Sequence, residues 1–134
     1  MIILDTNVVS ELMKPDPDPS LERWMDSLHP DDMYVSTITI AEMLTGVLRL
    51  SDGRRRETIE ARVRRIIEQF GPNYPSFTRE AAEIYAELAA RHPLLDAFDG
   101  QIAAIAKSHL AGIATRNVND FRLFNVELFN PWEA

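Results

Sequence analysis

The opening Ile2-Ile3-Leu4-Asp5 constrains this chain more than any other feature. Apolar side chains on consecutive positions suit a strand covered on both faces; a half-exposed strand would alternate. A strand covered on both faces belongs to a parallel sheet between two layers of helices. The rest of the chain reads accordingly. A helical turn is predicted over Val8–Met13, and Pro15, Pro17 and Pro19 then break the chain. Ser20 is placed to cap a helix running to about Leu28. Met33-Tyr34-Val35 reads as a second strand. Ser36 or Thr37 opens a helix to about Leu50, which Ser51-Asp52-Gly53 ends. A helix from Arg54 to Phe70 carries Ile59, Val63, Ile66, Ile67 and Phe70 on one stripe, and Gly71-Pro72 stops it. Helices follow over about Arg79–Arg91 and from Asp99 to about Leu110, with Gly112 suited to the C′ position of the latter. Ile113–Thr115 and Val126–Phe129 complete the strands. The expectation is an α/β fold, a parallel sheet of four to five strands with helices on both faces, and residues 1–134 as a single domain.

In such sheets ligands sit beyond the carboxyl ends of the strands. Asp5 ends the first strand, Asn117 and Asp120 follow the Ile113–Thr115 strand, and Asp99 heads the helix leading into it. Topology can therefore gather acidic groups at one sheet edge. Each also has an ordinary explanation. Asp5 equally suits an N-cap or Asx turn. Glu42 lies mid-helix with Ile38, Thr45, Gly46 and Arg49 as wheel neighbours, a pattern that favours a solvated face, although small Thr45 and Gly46 would also suit a cleft. Asp99 could be an N-cap, yet it shares its face with Ile102, Ala103, Ala106 and Leu110. A carboxylate heading an inward face needs a metal ion or a basic partner, because burying an unpaired charge is costly. Asp120 reads locally as turn chemistry, and Asp96 as a loop or capping residue. His29, His92 and His109 show no ligand spacing.

Composition excludes several classes. The chain has no cysteine, so disulfides, thiolate zinc sites and cysteine nucleophiles are ruled out. No G-x-S-x-G elbow or P-loop appears. No apolar run approaches the roughly 20 residues of a membrane span, and no signal-peptide pattern is seen, so a cytoplasmic location is expected. The net charge of −7, taken alone, argues against nucleic acid and suits a metal site or a basic protein partner. Arg54, Arg55, Arg56, Arg62, Arg64 and Arg65 are a local exception.

Five blocks carry a family resemblance: Ile3-Leu4-Asp5-Thr6-Asn7-Val8-Val9-Ser10-Glu11; the proline-rich Lys14–Pro19 with Trp24; Ser36-Thr37-Ile38-Thr39-Ile40-Ala41-Glu42 with Gly46; Asp99-Gly100-Gln101-Ile102-Ala103-Ala104-Ile105-Ala106; and Thr115-Arg116-Asn117-Val118-Asn119-Asp120-Phe121. In this order and spacing the chain resembles PIN-domain ribonucleases, specifically VapC-type toxins of the FitB-like subgroup in type II toxin–antitoxin systems. The resemblance implies a PIN-like sheet carrying an acidic pocket. Asp5, Glu42, Asp99 and Asp120 fall on the family's acidic positions, and Thr6, Thr115 and Asn117 on positions that support them. Asp96, an extra carboxylate, is left out of the site.

The implied activity is Mg²⁺- or Mn²⁺-dependent hydrolysis of RNA phosphodiester bonds, leaving 5′-phosphate and 3′-hydroxyl ends. Asp5, Asp99 and Asp120 are the implied metal ligands, with Asp5 and Asp99 on the first ion. Glu42 and Asp120 complete the pocket by orienting water or binding a second ion. The implied partners are an RNA substrate, a small cognate antitoxin with a DNA-binding part, and a second copy in a homodimer. Two rival readings stand beside this one. A haloacid-dehalogenase-type phosphotransferase needs a second Asp two residues after Asp5, where this chain has Asn7. A catalytically weak PIN-fold protein would act mainly as the antitoxin's binding partner in a DNA-binding complex.

Overall fold

The computed structural model describes all residues 1–134. Four short parallel strands form one sheet: β1 (Ile2–Leu4), β2 (Met33–Tyr34), β3 (Gly112–Ala114) and β4 (Leu128–Phe129), in the order β2-β1-β3-β4. Seven α-helices connect and flank them: α1 (Thr6–Leu12), α2 (Pro19–Asp26), α3 (Thr37–Leu48), α4 (Arg54–Gln69), α5 (Arg79–Arg91), α6 (Ala97–Ser108) and α7 (Val118–Phe121). No helix is long and apolar enough to cross a membrane.

The register explains why the first strand is apolar throughout. Ile3 faces Ile113 across the β1–β3 pair, and Leu4 faces Ala114. Alternate residues point to opposite faces. Ile3 and Ile113 therefore join a cluster with Ala81 and Leu88 of α5, Ile102 and Ile105 of α6, and Phe121 and Phe124. Ile2, Leu4 and Ala114 join the opposite cluster with Val8 and Val9 of α1, Leu21 of α2, Met43 and Val47 of α3, and Val63 and Ile67 of α4. The α4 stripe packs as its periodicity implies, with Ile59, Ile66 and Phe70 partly buried beside Val63 and Ile67.

Several boundaries differ from the sequence expectation, each for a local reason. Asp18, not Ser20, caps α2: its side chain accepts from the Ser20 N–H, and Pro19 occupies the first turn where no N–H is needed. Asp96, not Asp99, caps α6. At the other end of α6, Leu110 adopts the left-handed conformation (φ 54°) that Gly112 was expected to supply, and is 96% exposed. Gly112 instead begins β3, where its N–H donates to the Met1 carbonyl. Leu110 therefore lies outside the buried face of α6. The segment around Asp120, read as a turn, forms the short helix α7.

Chain reversal after β1 places the next strand, β2, on one side, while β3 lies on the other. The crevice between the carboxyl ends of β1 and β3 is thus the switch point where α/β sheets bind ligands. Main-chain hydrogen bonds continue past both strands: Asp5 N–H donates to the Ala114 carbonyl at 2.9 Å, and Thr115 N–H to the Phe129 carbonyl at 2.9 Å.

Candidate active site

Asp5 leaves β1 at that crevice and is only 4% exposed. It caps α1, with Oδ1 accepting from the Thr6 N–H at 2.8 Å. Its Oδ2 accepts from Asn7 Nδ2 at 2.8 Å and from Thr115 Oγ1 at 2.8 Å. The N-cap explanation is thus correct as far as it goes, but the cap uses only one oxygen. The network runs on: Asn117 N–H donates to Thr115 Oγ1, and Arg116 N–H to Asn7 Oδ1. Three donors favour the anionic form of Asp5. Burial nevertheless wins and pushes its pKa up, with a small push from Asp120.

Glu42 approaches from α3. Thr6 Oγ1 donates to its Oε1 at 2.9 Å, and Thr6 Oγ1 also lies 3.1 Å from Thr39 Oγ1. Glu42 is half-buried, so the solvated face expected from periodicity is corrected: α1 packs beside that face and supplies a hydroxyl. Thr45 and Gly46 remain exposed and line clefts with Glu42. Burial, opposed by the Thr6 hydrogen bond, raises the Glu42 pKa, and the charges of Asp5 and Asp96 add to the rise.

Asp99 stands in the first turn of α6, where its N–H donates to Asp96 Oδ1 at 3.0 Å. Below it Ile102, Ala103 and Ala106 are fully buried. Gly100 lets α6 lie close against its neighbours: a Cβ there would come within 2.7 Å of Leu95 Cδ2 and 2.9 Å of Tyr85 Cε1. The Asp99 pKa is pushed up to about 7, first by burial and then by the charges of Asp5, Asp96, Asp120 and Glu42. Asp120 is exposed on α7 at the rim.

Asp5, Glu42, Asp99 and Asp120 thus come from four elements and feel one another electrostatically. Asp96 belongs to the same field while also capping α6. Thr39 and Asn7 were not singled out from sequence as supports for the carboxylates. Thr39 lies three residues before Glu42 and so shares its helix face; Asn7 lies two residues after Asp5.

No three Asp, Glu or His side chains converge tightly enough to ligate one ion outright. Such a donor set does not fit a closed zinc site. It fits a hard cation that takes one or two carboxylates and keeps water in its other positions, the habit of Mg²⁺. Raised carboxylate pKa values in a crevice of like charge call for such a cation. The α4 arginines are engaged away from these carboxylates' hydrogen-bond network. Arg56 pairs with Asp52 and Arg64 with Glu60, while Arg62 and Arg65 line a separate groove with Lys14.

The PIN domain family matches residues 2–125. The chain belongs to the PIN-domain family. It is 39% identical to Toxin FitB of Neisseria gonorrhoeae, over 98% of this chain and 99% of the relative. It is 34% identical to VapC ribonuclease Y4jK of Sinorhizobium fredii, over 99% of both. A solved structure of FitAB bound to an IR36 DNA fragment superposes with a TM-score of 0.87 at 40% identity, covering 98% of this chain and 96% of that one. These relatives place it among the FitB- and VapC-type toxins of the PIN family.

Proposed function

We propose that residues 1–134 form one PIN domain, a divalent-metal-dependent endoribonuclease that acts as the toxin of a toxin–antitoxin pair. The observation carrying this reading is the convergence of Asp5, Glu42, Asp99 and Asp120 on the β1/β3 switch point, with the Asp99 pKa raised to about 7. A VapC ribonuclease among the relatives supports the reaction class.

Asp5 and Asp99 are assigned to the first Mg²⁺ or Mn²⁺, and Asp120, at the rim, to metal-bound water or a second ion. When bound, the ion supplies a nucleophile from water near neutral pH and offsets charge on the scissile phosphate. The protein's own part is preorganisation. Asp5 is held rigid by Thr6, Asn7 and Thr115, so its free lone pairs have a preset direction. Glu42, oriented by Thr6, is placed to accept a proton from attacking water. Asp99 carries the raised pKa and gains most from a cation.

The proposed partners are an RNA substrate, a second copy of this chain, and a small antitoxin with a DNA-binding part. The DNA-bound FitAB structure supports the last. An arginine of the antitoxin entering the crevice would pair bidentately with carboxylates and take the cation's place. The acidic protein functions in the cytoplasm on this reading.

The test is RNA cleavage by purified protein freed of partner, with Mg²⁺, Mn²⁺ or EDTA. Cleavage with either metal, abolished by EDTA and reduced at least 100-fold in Asp5→Asn and Asp99→Asn, is expected. Equal cleavage by wild type and Asp5→Asn would mark a contaminating nuclease and sink the catalytic assignment.

A further inference from the structure

Glu42 lines two grooves. One of them is lined by Ala41, Glu42, Thr45 and Gly46 of α3, by Arg49 just after it, and by Phe98 of α6. Its volume is about 250 Å³. Core packing and the chain's ion pairs leave three features of this groove unexplained. Phe98 is 50% exposed beside Asp99, although aromatic burial is a major source of core stability. Arg49 is exposed and takes no part in the arginine ion pairs, which involve Arg56, Arg64 and Arg79. Gly46 lies inside a helix, where glycine is unfavourable relative to alanine, yet a Cβ on it would meet nothing within 4 Å. The glycine leaves open a space that no part of this chain fills.

We infer that this groove is the subsite for the nucleotide flanking the scissile phosphate in single-stranded RNA, with its base stacked on Phe98 and its phosphate paired to Arg49. The inference rests on the nuclease reading above and extends it to the substrate. The chemistry matches the groove. Base stacking on an aromatic side chain needs an unpaired base, so single strands bind and duplexes do not. An arginine free of protein carboxylates is available to phosphate, and in a chain of net charge −7 such a cation beside the crevice offsets the repulsion of RNA. The open floor at Gly46 lets the strand lie close to α3. Glu42, shared by groove and crevice, joins the two.

The test measures binding apart from cleavage, in an Asp5→Asn background with Mg²⁺. The probes are a fluorescein-labelled 12-nucleotide RNA of mixed sequence and the same RNA annealed to its complement. The single strand is expected to bind more tightly than the duplex. Phe98→Ala should weaken single-strand binding about tenfold. Arg49→Ala should flatten the slope of log affinity against log salt by about 0.7, the loss of one phosphate contact. Gly46→Leu, which fills the groove, should weaken binding while leaving the melting temperature unchanged or higher. Equal affinity for duplex and single strand, or unchanged affinity in Phe98→Ala and Gly46→Leu, overturns the proposal. So does unchanged RNA binding accompanied by dissociation into smaller species in sedimentation, which would assign the face to a second copy of the chain. Weakened binding in these variants with no cleavage by the wild type would keep the subsite and remove the nuclease reading.

Discussion

Asp99 carries a carboxylate whose charge is opposed by burial and by four other acids around it, and its pKa of about 7 has a consequence for stability. The folded-state value lies above the unfolded one, so between about pH 4 and pH 7 the folded protein binds more protons than the unfolded chain. Metal-free stability therefore falls as pH rises through that window. Burial shifts Asp5 and Glu42 in the same direction. Asp99 is only partly buried, so solvent screening keeps the effect modest. Thermal denaturation in EDTA should show the wild type losing a few degrees between pH 5 and pH 8, with a flatter profile for Asp99→Asn. Mg²⁺ should raise the wild-type melting temperature at pH 8 by linkage, more than it raises that of Asp99→Asn. A wild type that gains stability from pH 5 to pH 8 in EDTA would contradict this account.

At the scale of elements, helix N-termini do much of the positioning. Asp5 caps α1, Ser36 caps α3 through the Thr39 N–H, and Asp96 caps α6 through the Asp99 N–H. Asp96 thereby acts on the site through Asp99, as a positioning residue. Replacing it separates the cap from the charge. Asp96→Ala should cost about 1 kcal/mol of stability in chemical denaturation. Asp96→Ser, which keeps a capping oxygen and removes the charge, should recover most of that stability and most of the RNA cleavage. Loss of cleavage in Asp96→Ser equal to that in Asp99→Asn would instead make Asp96 a member of the metal site. The α6 boundary also shows a limit of local pattern. An Asp at either position 96 or 99 would cap a helix well, and only the path of the chain before Ala97 selects Asp96.

For the whole molecule, the charge of −7 acts over longer distances than any contact. Arg56, Arg64 and Arg79 are paired within their own helices or at a helix start, so the acidic field is offset mainly at local patches. On the proposed function, a basic antitoxin segment would be drawn to a chain of this charge by electrostatic steering. Stopped-flow association with the cognate antitoxin should slow about tenfold or more between 50 and 500 mM NaCl, with a much smaller change in dissociation. Salt-independent association would leave the interface to apolar contacts alone.

Periodicity along the chain was enough to determine the α/β class, the helices α4 and α5 nearly to the residue, and the inward face of α6 at Ile102, Ala103 and Ala106. These follow from side-chain spacing, a local property. The acidic positions were legible because Asp5 and Asp99 stand at element ends, and because the motif blocks resemble those of PIN domains. The tertiary structure alone decided the surroundings of Glu42. Its own helix gave it a solvent-facing pattern, whereas α1 supplies Thr6, 36 residues earlier in the chain, and half-buries it. The same holds for the opening Ile2-Ile3-Leu4-Asp5. Its apolar residues implied a covered strand, but the value of Asp5 depends on Thr115, brought beside it by the β1–β3 register. A buried carboxylate is shaped by what non-local pairing places within hydrogen-bond reach, and local spacing carries no record of that distance.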